Sequence, residues 1–325
     1  MSPRIAYEEH DFGAKALETI RQATAIAASY RRQGYDLTLR QLYYQFVARD
    51  LIPNKQTEYK RLGSIIDNAR KAGLFDWDYI TDRTRNVRGG DGAATDPSQV
   101  IDPDAYVMAL WEGQTERVEV WVEKDALVGV IARAAGATRV PYFSCRGYTS
   151  SSEVWAAAQR IERYLDEDGV DHVTVLHLGD HDPSGIDMTR DITARLELFL
   201  GGDGYDLDRL RVKRIALNMD QVEQYSPPPN PAKDTDSRFS GYVDRYGDES
   251  WELDALEPSV LNTLIRANVS EHIDAEKWGA RRALEAHGEA TLQAVRDHYD
   301  EVIEFLDDKG FLPEPAVDED DDGEE

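Results

Sequence analysis

The sequence predicts an α/β protein: a parallel sheet with helices on both faces, a helical domain ahead of it and a mixed, mostly helical extension behind it. Three observations predict this. Between residues 118 and 217, short β-branched runs alternate with longer amphipathic stretches in the order βαβαβαβ, which implies parallel strands joined by crossovers. The first ninety residues carry helical periodicity and helix-capping signals. A 325-residue chain that is 41% hydrophobic can bury a sizeable core, in two domains or in one large core with an appended module.

Residues 14–30 read as the first helix. Thr38 is a good N-cap for a second, over 39–49, which "IPN" at 52–54 breaks. The third runs over 57–72 and is ended by Gly73. "LFDWDYITDRT" then reads as a short hairpin. Three helices and a hairpin suit a winged helix-turn-helix, which lays one helix in the DNA major groove. "RGGDGAATDPSQ" is a loop or linker. Strands are expected at 118–122, 140–143, 173–178 and 212–217, with helices at 126–135, 153–165 and 186–199. After the Pro-rich "YSPPPNPAKDTDSRF", mixed helix follows over 253–306. The expected boundaries are 1–90 for the N-terminal domain, 91–115 for the linker, 116–312 for the sheet domain with its extension, and 313–325 for a disordered acidic tail, "DEDDDGEE". Trp77, Trp121, Trp155 and Trp251 read as core.

No apolar run is long enough to span a bilayer, and the N-terminus has no apolar signal core. The expectation is a cytoplasmic protein without membrane contact. The single cysteine, Cys145, excludes an internal disulfide framework and a Cys-based zinc cluster. The formal net charge of -26 is a poor match to the basic footprint of a nucleic-acid binder. The charge is uneven, however: residues 38–90 hold ten Lys/Arg against six Asp/Glu. Only nine of the 37 basic residues are Lys. An acidic surface with few Lys suits a high-salt habitat, and a GC-rich genome would favour Arg over Lys equally well.

Open parallel sheets bind ligands beyond the carboxyl ends of their strands. Glu123 ends the first expected strand, in "VWVEKDAL". Asp180 and Asp182 lie just past the third, in "HLGDHDPSGID". Three carboxylates on one rim repel unless a cation neutralises them, and oxygen-only ligands favour Mg²⁺ or Mn²⁺. Two apart on an extended segment, Asp180 and Asp182 point the same way and His181 points away. The competing reading makes these acids solvated loop residues or N-caps of the next helix.

The second helix, "TLRQLYYQFVARD", carries Leu39, Leu42, Tyr43, Phe46 and Val47 on one apolar stripe. Tyr43 is therefore expected to be buried. Tyr44, about 100° further round, is expected to face a groove or solvent. Arg40 shares its face four residues earlier, and an arginine can hold a phosphate through bidentate hydrogen bonds. An exposed tyrosine beside an arginine is more commonly a plain surface residue. Lys60, Arg61, Arg70 and Lys71 on the third helix are candidate DNA contacts or a solvated face. Lys124 and Arg146 are candidates for lining the rim.

Glu123 with Asp180-His181-Asp182 resembles the metal-binding pattern of Toprim domains. "VEKDAL" and "DHDPSGID" are closer to its version in the A-subunit family of type IIB topoisomerases (topoisomerase VI) and Spo11. "RQLYY" resembles that family's Arg-x-x-Tyr-Tyr motif, and "ESWELDALEP" fits it less specifically. The chain looks most like compact, stand-alone A-subunit homologues of microbes, their viruses and plasmids.

The resemblance implies a winged-helix domain followed by a Toprim domain. It implies Mg²⁺ held by Glu123, Asp180 and Asp182, and Tyr44 as a nucleophile that cuts double-stranded DNA and keeps a 5′-phosphotyrosyl link, with Arg40 beside it. It further implies a homodimer in the nucleoid region of the cytoplasm. Any ATPase would be a separate GHKL-type B-like subunit, since this chain shows no glycine-rich loop for ATP. Three other readings stay open: a Toprim nuclease using metal-activated water, a non-catalytic DNA-binding subunit, and a small-molecule phosphotransferase.

Overall fold

The computed structural model describes residues 5–81 and 97–312, apart from positions 36, 168, 203 and 233. The described residues divide into two compact units, one from Met1–Val87 with Gly113–Asp274 and one from Arg88–Glu112 with Ala275–Glu325.

The larger unit opens with α1 (Ala14–Arg32), α2 (Leu39–Ala48) and α3 (Gln56–Lys71). Thr38 starts α2 as expected. Its Oγ1 accepts from Gln41 N at 3.2 Å, and Gln41 Oε1 accepts from Thr38 N at 2.8 Å, which satisfies two of the donors a helix start leaves free. Leu42 and Phe46 are buried in one cluster with Ile20 and Ala23 of α1 and with Leu62 and Ile66 of α3. Each such large side chain contributes about 1.5–3 kcal/mol. Gly73 ends α3 at φ +72°, a conformation that favours glycine.

The hairpin expected after α3 does not form among the described residues. Trp77–Tyr79 is a 3-10 turn, and Ile80 makes one isolated parallel bridge, to Leu37. The physical reason lies in two side chains. Asp76 caps the turn by accepting from Asp78 N at 3.0 Å, and Arg70 donates to the carbonyls of Trp77 and Ile80. The remainder of the expected hairpin and residues 82–96 lie outside the described residues. A three-helix bundle is established here; the wing of a winged helix is not.

The sheet follows as β1 (Glu116–Val122), α4 (Val128–Thr138), β2 (Tyr142–Ser144), α5 (Ser151–Leu165), β3 (His172–Leu178), α6 (Pro183–Gly202) and β4 (Leu210–Ala216). All four strands are parallel, in the order β2-β1-β3-β4. Period-two alternation sends Trp121, Val173 and Val175 to a core shared with α5 and α6. The other face is covered by α4 and α9 (Pro258–Ser270). Between α6 and α9 the chain forms α7 (Met219–Tyr225), β5 (Asn230–Pro231), α8 (Phe239–Tyr246) and β6 (Glu249–Ser250). β1 and β3 are neighbours, yet the chain visits β2 between them. The winding therefore reverses at β1/β3, where open α/β sheets form their ligand crevice.

One loop contact decides what reaches that crevice. His181 N donates to Trp251 O at 2.8 Å and Trp251 N donates to His181 O at 2.9 Å. This bridge lays residues 251–255 along the loop after β3.

The second unit contains α10 (Ala275–Asp297) and α11 (Tyr299–Asp308). Residues 97–112, expected in a linker, pack on α10. Met108 N donates to the buried Glu285 carboxylate at 3.0 Å, and the Trp111 and Trp278 rings meet edge-on at 5.8 Å. Gly288 leaves room for the Tyr106 ring, which a Cβ there would overlap at 2.3 Å. No described helix is long and apolar enough to cross a membrane.

Candidate active site

Glu123 and Asp180 stand side by side at the switch point, both buried. Asp180 N donates to Glu123 Oε2 at 2.8 Å. Burial, with the nearby charge of Asp182, raises the Glu123 carboxyl above its ordinary value, against the opposing pull of the Asp180 N–H and Lys124. Burial likewise raises Asp180, again with Lys124 opposing and Glu123 reinforcing. Asp180 Oδ1 accepts from Leu253 N at 2.7 Å, and Oδ2 pairs with Lys124 Nζ at 2.8 Å.

Asp182 takes different partners from Asp180. Its Oδ1 accepts from Gly185 N at 2.6 Å and from Ser184 Oγ at 2.9 Å, so it caps α6. A helix start with unsatisfied N–H groups competes for the nearest carboxylate. The turn is tight enough that a Cβ on Gly185 would lie 2.3 Å from Asp180 O. His181 points away as expected. It is 1% exposed, and its Nδ1 meets Tyr242 Oη at 2.8 Å.

Lys124 gathers a second group of acids. Its ammonium lies 2.6 Å from Glu252 Oε2 and 3.2 Å from Asp254 Oδ1, besides Asp180. Arg40 meets the same two acids from α2: Nη2 lies 2.5 Å from Glu252 Oε2, and Nε lies 3.3 Å from Asp254 Oδ2. Burial opposes the charges of Lys124 and Arg40, but their carboxylate partners outweigh it and raise both. Burial also opposes the Glu252 charge, but Lys124 and Arg40 outweigh it and hold that carboxyl well below its usual range. Asp254, buried most deeply, is raised.

Tyr44 is attached to this network. Arg40 Nη2 lies 3.5 Å from its hydroxyl, and the guanidinium sits 5.8 Å from its ring centre. The expectation that Tyr44 is more open than Tyr43 does not hold: the two are 3% and 4% exposed. The helix wheel could not show this, because the second wall over α2 is the turn at Leu253–Ala255, more than two hundred residues away. Burial, then the charges of Asp254 and Glu252, raise the Tyr44 phenol above its ordinary value. Arg40 Nη1 makes no hydrogen bond among the described residues and remains available to an anion.

The other candidates are less free. Arg61 pairs with Glu58 at 2.6 Å and Lys71 with Asp67 at 3.0 Å. Arg70 stacks on Trp77 at 5.3 Å besides its two carbonyl bonds. Lys60 is exposed and has no ion pair among the described residues. Arg146 reaches the rim but pairs with Asp125 at 3.2 Å.

Sequence reasoning missed three residues. Glu252 and Asp254 are two among 63 acids; their segment, "ESWELDALEP", belongs to the resemblance, but only the bridge to His181 places these two side chains at the rim. Arg214 of β4 donates from Nη2 to Gly179 O at 2.9 Å and Asp180 O at 2.6 Å, and from Nη1 to Gly185 O at 2.8 Å. It thereby holds the whole turn that carries Asp180 and Asp182. A strand-end arginine gives no signal of this in one sequence.

Among the described residues, no three His, Cys, Asp or Glu side chains are set to hold a metal ion. The donor chemistry nonetheless fits a hard divalent cation. Glu123 Oε1 and Asp182 Oδ2 carry no hydrogen bond among the described residues, which leaves an oxygen of each for a cation. Asp180 has its two oxygens engaged by Leu253 and Lys124. No protein-family model matches the chain, and no curated protein matches it.

Proposed function

We propose that the chain cuts DNA by transesterification, with Tyr44 as the nucleophile. The observation that supports this best is the join between two separately encoded groups. Tyr44 and Arg40 on α2 share one ionic network with the acids at the sheet's switch point, within a single unit. The α/β sheet with acids at this rim is compatible with a Toprim-like fold, and the bundle ahead of it takes the place of the winged-helix domain in this reading.

Arg40 presents Nη1 to a backbone phosphate. Tyr44 gives up its proton to water as its oxygen bonds to phosphorus, while Arg40 beside the hydroxyl offsets the developing charge. The bond from phosphorus to the deoxyribose 3′ oxygen breaks, and that oxygen leaves as a hydroxyl with a proton from water. Bond energy is kept in the 5′-phosphotyrosyl link, so religation is open. Lys124 adds positive charge at the rim. Mg²⁺ or Mn²⁺ bound through Glu123 and Asp182, with Asp180 joining only if it gives up Lys124, would supply electrostatic stabilisation of the phosphate. Each chain carries one such tyrosine, so a double-strand cut takes two copies, and a homodimer on double-stranded DNA belongs to the proposal. Strand passage would need a separate ATPase subunit.

One observation favours a second reading. Tyr44 is buried and engaged by Arg40, as a groove-shaping residue would be. A nuclease using metal-activated water would leave it there.

Covalent trapping separates the two. Supercoiled plasmid is incubated with protein and Mg²⁺ or Mn²⁺, quenched with detergent and digested with protease, for wild type and Tyr44→Phe in parallel. Protein-linked ends that vanish in Tyr44→Phe are expected. Free ends from both proteins would overturn the tyrosine mechanism in favour of hydrolysis.

A further inference from the structure

We infer that the recess beside Tyr44 is a nucleobase pocket: it takes one base swung out of the DNA stack, next to the phosphate that Arg40 addresses. The inference rests on the DNA-cleavage reading for its substrate, but its chemistry is legible in the walls. The recess measures about 240 Å³. That is below the roughly 300–1,000 Å³ of sites for drug-sized ligands, so it suits one ring system and little more.

Three of its walls are aromatic. Tyr43 and Tyr44 lie 5.4 Å apart between ring centres, and Tyr43 and Tyr59 also 5.4 Å. Tyr43 and Tyr44 are almost wholly buried, so the half-buried Tyr59 offers the stacking face, and a base stacked on it gains roughly 1–3 kcal/mol, whichever base it is. Discrimination must come from polar atoms, and one unpaired donor belongs to a residue that lines the recess. Tyr43 donates its hydroxyl hydrogen to Asn54 Oδ1 at 2.9 Å, and Asn54 Nδ2 donates to Asn230 Oδ1 at 2.7 Å and Pro229 O at 3.0 Å. Asn54 is thereby fully committed and holds Asn230 by its oxygen. Asn230 Nδ2, by contrast, is buried with no hydrogen-bond partner.

A buried donor left unpaired is costly, and structures keep few of them without a reason. A ring nitrogen or carbonyl oxygen of a base is an acceptor of the right kind, and it meets this donor once the occluded Asn230 amide turns into the recess. Arg40 lines the same recess, so a base inside it and a phosphate on Nη1 can belong to one nucleotide. A free anion would not use the rings, and an apolar ligand would leave Asn230 unpaired. Taking a base out of the stack costs a few kcal/mol, which the rings can offset.

The test needs no cleavage, so it is independent of the Tyr44 mechanism. The full chain in EDTA is titrated calorimetrically with the four homodimeric deoxydinucleoside monophosphates, one per base, and with an abasic analogue of the same charge. Wild type, Tyr59→Ala and Asn230→Ala are compared after circular dichroism has established that each is folded. Dinucleotides are expected to bind at least tenfold tighter than the abasic compound. Tyr59→Ala should remove most of that gap for all four bases, and Asn230→Ala should shrink it unequally among them. An abasic compound that binds as well as the dinucleotides, or no binding of either, overturns the pocket. Should covalent trapping fail while bases are still discriminated, the cleavage mechanism falls and the pocket stands.

Discussion

Lys124 is flanked by Asp180, Glu252 and Asp254, two of which are almost inaccessible to water. Lys124→Ala leaves those carboxylates without their nearest cation and is expected to cost about 3–5 kcal/mol. The urea midpoint should fall with an unchanged slope. A second residue sets a pH response. His177 is fully buried, with Nδ1 on Thr189 Oγ1 at 2.8 Å. Burial, then the charge of Arg214, push it down to about 3. Its unfolded value is near 6.5, so as pH falls the unfolded chain takes up that proton first. The stability His177 contributes is complete above about pH 6.5 and is lost towards pH 3, by about 1.4 kcal/mol per pH unit. Asp180, raised in the fold, works in the opposite direction over the same window. The comparison is therefore made against His177→Asn. Wild type should lose stability relative to the variant as pH drops from 6.5 to 4.5, and parallel curves would show that the ring is not kept neutral by burial.

The turn after β3 is held from two sides, by Arg214 beneath it and by the bridge to Trp251 beyond it. Arg214→Lys keeps the charge but loses the planar fork that reaches three carbonyls of that turn. A loss of about 2 kcal/mol is expected in thermal or urea unfolding, together with weaker cleavage. The same turn supplies the cation test. Mg²⁺ at ten times its dissociation constant should stabilise the wild type by about 1.4 kcal/mol, and Asp182→Asn should abolish the shift in melting temperature. A shift that persists in the variant would move the cation elsewhere. At this scale the sequence was legible where chemistry is local. Strands β1 to β4 follow from β-branched runs, and Glu123 and Asp180 follow from where those runs stop. Contacts between distant segments were not legible. The 3-10 turn at Trp77 depends on Arg70 and Asp76, and the burial of Tyr44 on Leu253–Ala255. Trp77 and Trp155, expected in the core, are 40% and 52% exposed, because an amphipathic pattern counts a tryptophan as apolar wherever the helix turns it.

Across the whole molecule the net charge is -26, so the DNA binding that the proposed function requires has to come from local basic side chains. Of the four candidates on α3, Lys60 alone is exposed without an internal ion pair among the described residues. Few phosphates are then neutralised. With two to four of them, log affinity should fall by roughly 2–4 for each tenfold rise in salt, and Lys60→Ala should reduce that slope by about 0.9. A slope that Lys60→Ala leaves unchanged would place the DNA on another surface.

The pairing of Arg40 with Glu252 spans 212 positions of sequence, and it has a consequence for the newly made protein. At translation rates of about 5–20 residues per second, the ribosome releases Tyr44 and Arg40 roughly 10–40 seconds before their acids follow. Throughout that interval the nascent chain carries the proposed nucleophile without the ionic network that aims it. On the proposed function, synthesis itself acts as the safety catch: a half-made molecule, or one truncated before residue 252, is unarmed towards DNA.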